Sequence, residues 1–240
     1  MICRPGCVCG KIIFMEINKI ATIYTDLDGK FGLPRQSGLV PQLTGRVVFE
    51  KEYRRQEALR GIEGWSHLWL IWGFSKNAEA GWTPTIRPPR LGGNKRVGVF
   101  ASRSPFRPNG LGLSLVKLIK VDVDCPDAPV LVVGGVDMAD GTPVYDIKPY
   151  NPEFESVPDA RRGFLENTEW NSLSVKDPEG LLDTVDPEKR AALVELLKLD
   201  PRPRYQNDPK RIYGFPYAGM EIRFRVEENT LIVAEIIDKL

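Results

Sequence analysis

The chain has 240 residues, 42% of them hydrophobic and 27% charged, enough to bury a substantial core as one domain or one and a half. No apolar run reaches the length of a membrane-spanning helix and no signal-peptide core opens the sequence, so a soluble, cytoplasmic protein is expected. A formal net charge of +1 does not by itself announce a nucleic-acid binder, but the charge is polarised: between Ala80 and Val121 stand eight Lys or Arg and no Asp or Glu.

Residues 1–14 read as a disordered leader. Cys3, Cys7 and Cys9 offer three thiolates without a nearby fourth ligand, whereas structural zinc takes four, so no metal is expected. The β-branched run Ile17–Tyr24 predicts a first strand, Asp28-Gly29 a turn, Pro34–Gly38 a loop and Val47–Tyr53 a second strand. An irregular bend over Leu59–Gly64 leads into HLWLIWGF (His67–Phe74), which is aromatic, too short for a membrane span, and fits a strand buried on both faces. After a Pro/Gly loop at Arg87–Asn94, the stretch VGVFASRSPFRPNGLGLSLVK (Val97–Lys117) reads as strand, rigid basic loop, strand. Pro105 and Pro108 fix φ, and Asn109-Gly110 supplies a residue able to take positive φ, so Arg103 and Arg107 project from a loop with little freedom left to lose. Such a loop suits an anion or a planar ring; an ordinary hairpin with surface arginines has the same spacing.

Val130–Val136 and Val144–Ile147 add strands on either side of the turn Asp140–Pro143. Six or seven short strands with no long helix between them predict a closed antiparallel β-barrel. No GxGxxG motif follows a strand and opens a helix, so a Rossmann-type site is not supported. Asn151–Asp159 is punctuated by prolines and reads as a linker. Beyond it a helix starts at an Asp186 cap with Pro187 in its first position and buries Ala192, Leu193, Leu196 and Leu197. Pro201 and Pro203 end it, and Ile222–Val226 with Leu231–Ile237 form a two-stranded hairpin. The expected organisation is mainly β: leader 1–14, barrel 15–155 and a small α+β domain over 156–240.

The sole histidine, His67, opens a buried strand with no acid or cysteine at ligand spacing and reads as structural. Cys125, before Pro126, has no nucleophile setting. Trp65, Trp69 and Trp72 read as core, whereas Trp82 beside the basic loop can stack a base.

RSPFRPN (Arg103–Asn109) followed by GLSLVKL (Gly112–Leu118) closely resembles the signature of the TrmO-type tRNA methyltransferases, the TsaA-like β-barrel family. PRQSGLV (Pro34–Val40), RGIEGWSHLWLIWGF (Arg60–Phe74), RPPRLGGNKRVGVF (Arg87–Phe100), DMADGTPVYDIKPY (Asp137–Tyr150) and DPRPRY (Asp200–Tyr205) extend it. The resemblance runs from Ile17 to the C-terminal strands, with no match over 161–186.

By that resemblance S-adenosylmethionine lies against Arg35, Gln36, Ser37, Phe74, Ser75, Arg103, Leu113, Gly135, Val136 and Asp137, which are loop or strand-end positions in the residue-level reading, as a barrel mouth requires. The acceptor it implies is N6 of N6-threonylcarbamoyladenosine at position 37 in the tRNA anticodon loop. The chemistry also asks for a proton acceptor, for which Asp137, Asp146 and Asp200 are the candidates. Arg87, Arg90, Lys95, Arg96 and Arg107 are expected to meet phosphates, and Asp200, Arg202 and Tyr205 the substrate. A homodimer is expected, with the stiff Asp200–Tyr205 loop completing the neighbouring subunit's site. Two rival readings are a non-catalytic RNA-binding β-barrel and a metal-binding regulator built on the cysteine cluster.

Overall fold

Strands of alternating apolar and polar residues wrap one side inward, and six of them close into a barrel. The computed structural model describes residues 16–29, 31–76, 81–88, 91, 95–166, 172–202 and 208–239. The expectations on Cys3, Cys7, Cys9, Arg90 and Tyr205 lie outside the described residues. In β1 (Ala21–Thr25) and β2 (Thr44–Phe49), Ala21 faces Phe49 and Ile23 faces Val47, all four buried. The second strand therefore starts earlier than expected and stops at Phe49, because Lys51–Tyr53 form a turn. β3 (His67–Gly73) buries Leu68, Leu70 and Trp72 and leaves His67, Trp69 and Ile71 half-buried. It is thus buried fully on one face, a correction to the two-faced burial expected; the aromatic content lies partly on the barrel's outside.

A larger correction concerns Val97–Ala101. Only β4 (Thr85–Ile86) and β5 (Val97–Gly98) pair, as a short ribbon apart from the barrel, and Val99–Ala101 coil into a 3-10 turn. Alternating valines make a strand only where a neighbour offers a hydrogen-bonding edge, and that edge is two residues long here. The following strand is longer than expected, β6 (Leu111–Asp122), and is succeeded by β7 (Val130–Gly134) and β8 (Thr142–Pro149). The order around the closed, all-antiparallel barrel is β1-β2-β7-β6-β3-β8, with β8 returning to β1. Register shifts interrupt the β3–β8 ladder at Ile71/Trp72 and the β6–β7 ladder at Leu118/Lys120.

Asn151–Asp159, expected as a linker, holds a single-turn helix, α1 (Pro152–Glu155), capped by the Asn151 side chain. After it come β9 (Ser174–Lys176) and α2 (Pro187–Lys198), whose N-cap Asp186 accepts the Glu188 N–H at 2.8 Å. α2 buries Ala192, Leu193, Leu196 and Leu197, as its spacing predicts. The expected two-stranded hairpin is the centre of a four-stranded sheet, in the order β10-β11-β12-β9: β10 (Tyr213–Tyr217), β11 (Met220–Glu227), β12 (Thr230–Asp238), and β9 parallel to β12.

Barrel and sheet share one continuous apolar core. The connection after β1 joins them. Asp26 accepts the Ala218 N–H through its carbonyl at 2.9 Å and Lys189 Nζ through its carboxylate at 2.8 Å. Gly32, at φ +81°, leaves room for the Phe215 ring, into which a Cβ there would run. Among the described residues, no helix is long and apolar enough to cross a membrane, and no cluster of His, Cys, Asp or Glu is placed to hold a metal.

Candidate active site

β6 runs beside β3 from Leu111 to Lys117 but meets β7 only from Lys117 onward. The barrel wall is therefore unzipped along Leu111–Val116, a seam that leaves backbone groups of β6 facing no strand. Ser37 fills part of it, its Oγ accepting the Leu115 N–H at 3.1 Å. By the alternation of an antiparallel ladder, the N–H and C=O of Leu113 lie on that same open edge. The Leu113 side chain itself is 49% exposed on the outer face.

Two glycines bring the other walls of the seam together. Gly135, at φ +72° just past β7, accepts the Gly38 N–H at 2.8 Å, and a Cβ on it would sit 3.2 Å from Gly38 Cα. Residues 34–38 and 135–137 thus lie back to back because neither glycine carries a side chain. Val136 is buried, so it offers only its backbone.

At the seam Arg103 is exposed and donates from Nη1 to Gln36 Oε1 at 2.6 Å, while Gln36 Nε2 donates to the Arg35 carbonyl at 2.6 Å. Behind them lies Asp137. Burial raises the proton affinity of its carboxyl; the Ser114 hydroxyl, its own and the Ser37 backbone N–H groups, and the Arg103 charge pull the other way. Ser114 Oγ donates to Asp137 Oδ1 at 2.6 Å and accepts Trp72 Nε1–H at 2.9 Å. Phe74 packs edge-on against Trp72 with ring centroids 4.4 Å apart, and exposed Ser75 follows it.

The basic loop is held by its own side chains. Ser102 Oγ donates to the Val99 carbonyl at 2.8 Å, and Arg107 Nη1 donates to the Ser102 and Val99 carbonyls at 2.7 and 3.3 Å with its guanidinium 5.8 Å from the Phe100 ring centroid. Arg107 is thus turned back onto the loop, whereas Arg103 is turned outward. Arg87, Lys95 and Arg96 are exposed on and beside the β4–β5 ribbon.

The other two candidate carboxylates are already occupied. Asp146 pairs with Lys148 at 2.9 Å, and Arg202 forks onto Asp200 through Nε and Nη2, each at 2.8 Å. Leu199, Asp200 and Pro201 line a depression together with Gly32–Arg35 of the same chain.

So the structure gathers Gln36, Ser37, Arg103, Gly135 and Asp137 at one seam, with Phe74 and the Leu113 backbone at its edges. Sequence reasoning missed Ser114 and took Trp72 for plain core. The available signal was a polar residue at an inward position of β6, between Gly112 and Val116.

The chain matches the family described as the tRNA-methyltransferase O N-terminal domain over residues 22–156 and the TrmO C-terminal domain over residues 181–239. It is 40% identical over 221 residues to the tRNA (adenine(37)-N6)-methyltransferase of Escherichia coli strain K12, covering 89% of this chain and 94% of that protein. It is 36% identical over 224 residues to a putative S-adenosylmethionine-dependent methyltransferase, RcsF, of Pseudomonas aeruginosa, covering 90% of this chain and 95% of that protein. A crystal structure of TrmO from Pseudomonas aeruginosa superimposes with a TM-score of 0.76 at 28% identity, over 94% of this chain and 99% of that one. The chain belongs to the tRNA-methyltransferase O family through both its barrel and its C-terminal sheet.

Proposed function

We propose that this chain methylates N6 of N6-threonylcarbamoyladenosine at position 37 of tRNA, presented from the anticodon loop, with S-adenosylmethionine as donor. The observation that carries the reading is the seam, where an open strand edge, an exposed arginine and a largely buried carboxylate meet within the barrel that matches the family. The residues suit the donor's chemistry. Arg103 can fork onto a carboxylate, the Leu113 edge can pair with the rim of an adenine, Trp72 and Phe74 form an apolar wall, and the Gln36 and Asp137 oxygens suit a sulfonium cation.

When bound, S-adenosylmethionine supplies an electrophilic methyl: the S–CH3 bond breaks with its electron pair kept by sulfur as the N6–CH3 bond forms, and the N6 proton leaves. Asp137 is the proposed acceptor of that proton, since Asp146 and Asp200 are held by Lys148 and Arg202, whereas Asp137 lies at the seam beside Ser114. N6 is amide-like and weakly nucleophilic, so holding it in line with the methyl group is the larger task, and a base already exposed in a loop needs less unstacking than one in a duplex. Arg87, Lys95 and Arg96 are exposed and can meet phosphates, and a cytoplasmic setting is part of the same proposal.

The dimer expected from the resemblance is part of this proposal, with Asp200 and Arg202 completing the neighbouring subunit's site beside its 34–38 loop. Inactive Arg103→Ala and Arg202→Ala subunits, mixed as verified heterodimers, are then expected to regain partial activity, because one intact site is assembled from two damaged chains; mixed dimers that stay inactive would mean each site is built within one chain. The reading as a whole is tested by mass spectrometry of tRNA nucleosides from cells with and without the gene, where threonylcarbamoyladenosine should gain one methyl group only when the gene is present. Tight tRNA binding without that product would favour a non-catalytic RNA-binding barrel.

A further inference from the structure

We infer that Trp72 and Ser114 are positioning residues: a directed hydrogen-bond chain that holds Asp137 by Oδ1 and reserves Oδ2 for the incoming proton. The chain's direction follows from chemistry. An indole N–H can only donate, so once Trp72 Nε1 donates to Ser114 Oγ at 2.9 Å the hydroxyl is free to send its one hydrogen onward, and Asp137 Oδ1 lies 2.6 Å away. A proton resting on Oδ1 would face that hydroxyl hydrogen. The carboxyl group therefore takes up a proton on Oδ2.

The setting makes this more than an incidental contact. Ser114, at 1% exposure, and Thr142 are the buried polar side chains among the described residues. Thr142 donates to the nearby Ala139 carbonyl, an ordinary turn bond, whereas Ser114 spends its hydrogen on a carboxylate 23 residues away and takes one from a tryptophan 42 residues away. A buried polar chain in an apolar barrel is costly unless every member is satisfied, and here each is. The groups facing Asp137 are Trp72 from β3, Ser114 from β6, the Ser37 backbone from the 34–38 loop and Arg103 from the basic loop. Of these Arg103 is the cationic partner of the carboxylate.

The inference rests on the reading of Asp137 as proton acceptor, and the test separates the two. The 13C carboxyl resonance of Asp137, assigned by its loss in Asp137→Asn, is titrated in the substrate-free protein. Ser114→Ala removes a donor to the charged form and should raise the midpoint by about one pH unit, while Ser114→Thr, which keeps the hydroxyl, should restore it. Trp72→Phe lets the hydroxyl turn away and should move the midpoint in the same direction by less. In Ser114→Ala the acidic limb of kcat should follow the midpoint, with KM for S-adenosylmethionine within about twofold of wild type. An unmoved midpoint in both Ser114→Ala and Trp72→Phe overturns the chain. A midpoint that moves while the kcat limb stays upholds the chain and overturns Asp137 as the proton acceptor.

Discussion

The two sides of the seam are built by opposite means. Behind it, Asp137, Ser114 and Trp72 form a buried chain inside the barrel wall, each held by a partner far along the sequence. In front, the 99–110 loop is ordered by neighbours: serines bonding nearby backbone, Arg107 folded onto two carbonyls, prolines limiting φ. The front leaves Arg103 projecting and its loop intact without it, whereas the rear places a charged group where burial opposes its charge. Function and stability should therefore be separable at the front and opposed at the rear.

The largest effect tests the rear. Asp137→Asn keeps an oxygen to accept from Ser114 but cannot take a proton, and kcat should fall by roughly 10²–10⁴-fold. Stability should move the other way. Burial raises the folded-state pKa of Asp137 above its unfolded value, so its contribution to stability declines as pH rises through the window between the two, and at neutral pH the cost of the buried charge is fully present. The variant should melt higher than wild type at neutral pH, with the gap closing at pH values below the usual carboxylate range, where both proteins are uncharged at this site. A variant that melts lower at neutral pH would mean the Ser114 and Arg103 interactions outweigh desolvation.

At the front, Arg103→Ala should lower kcat/KM by about 10- to 100-fold, the range of a lost charge-assisted hydrogen bond, with the melting temperature unchanged because an exposed arginine adds little to stability. A large fall in melting temperature would make its bond to Gln36 structural and erase the contrast between the two sides.

How legible each side was in the sequence follows from the same difference. Pro105, Pro108 and Asn109-Gly110 act on their own neighbours, so the stiffness of the front could be read directly. The Ser114–Asp137 bond could not, since it depends on β6 and the end of β7 being brought side by side. The strands with several alternating buried residues were visible, as were the cap and apolar face of α2. β9, three residues long, and β10, with Gly214 and Pro216 inside it, carry too little strand character to show alone; pairing with β12 and β11 makes them strands. The valines of Val97–Ala101 misled for the converse reason, strand character without an edge to receive it.

The smallest effect sharpens the front into its two kinds of arginine. If tRNA binding draws on exposed cations, the logarithm of affinity falls linearly with the logarithm of salt, and each phosphate contact contributes roughly 0.7 to 0.9 to the slope. Arg87, Lys95 and Arg96 are exposed, and among the described residues Arg96 bonds through Nη1 to Thr85 Oγ1 at 3.1 Å. Arg107 is half-buried, with two carbonyls and the Phe100 ring around it. Replacing Lys95 by Ala should reduce the slope by just under one unit with no change in melting temperature. Replacing Arg107 by Ala should leave the slope nearly unchanged and instead weaken catalysis, because the carbonyls of Val99 and Ser102 lose the group that holds the loop closed and Arg103 loses its fixed base. Measured by tRNA binding over a salt series, equal slope changes for the two variants would show that Arg107 reaches phosphate after all, and that the front of the seam opens on binding.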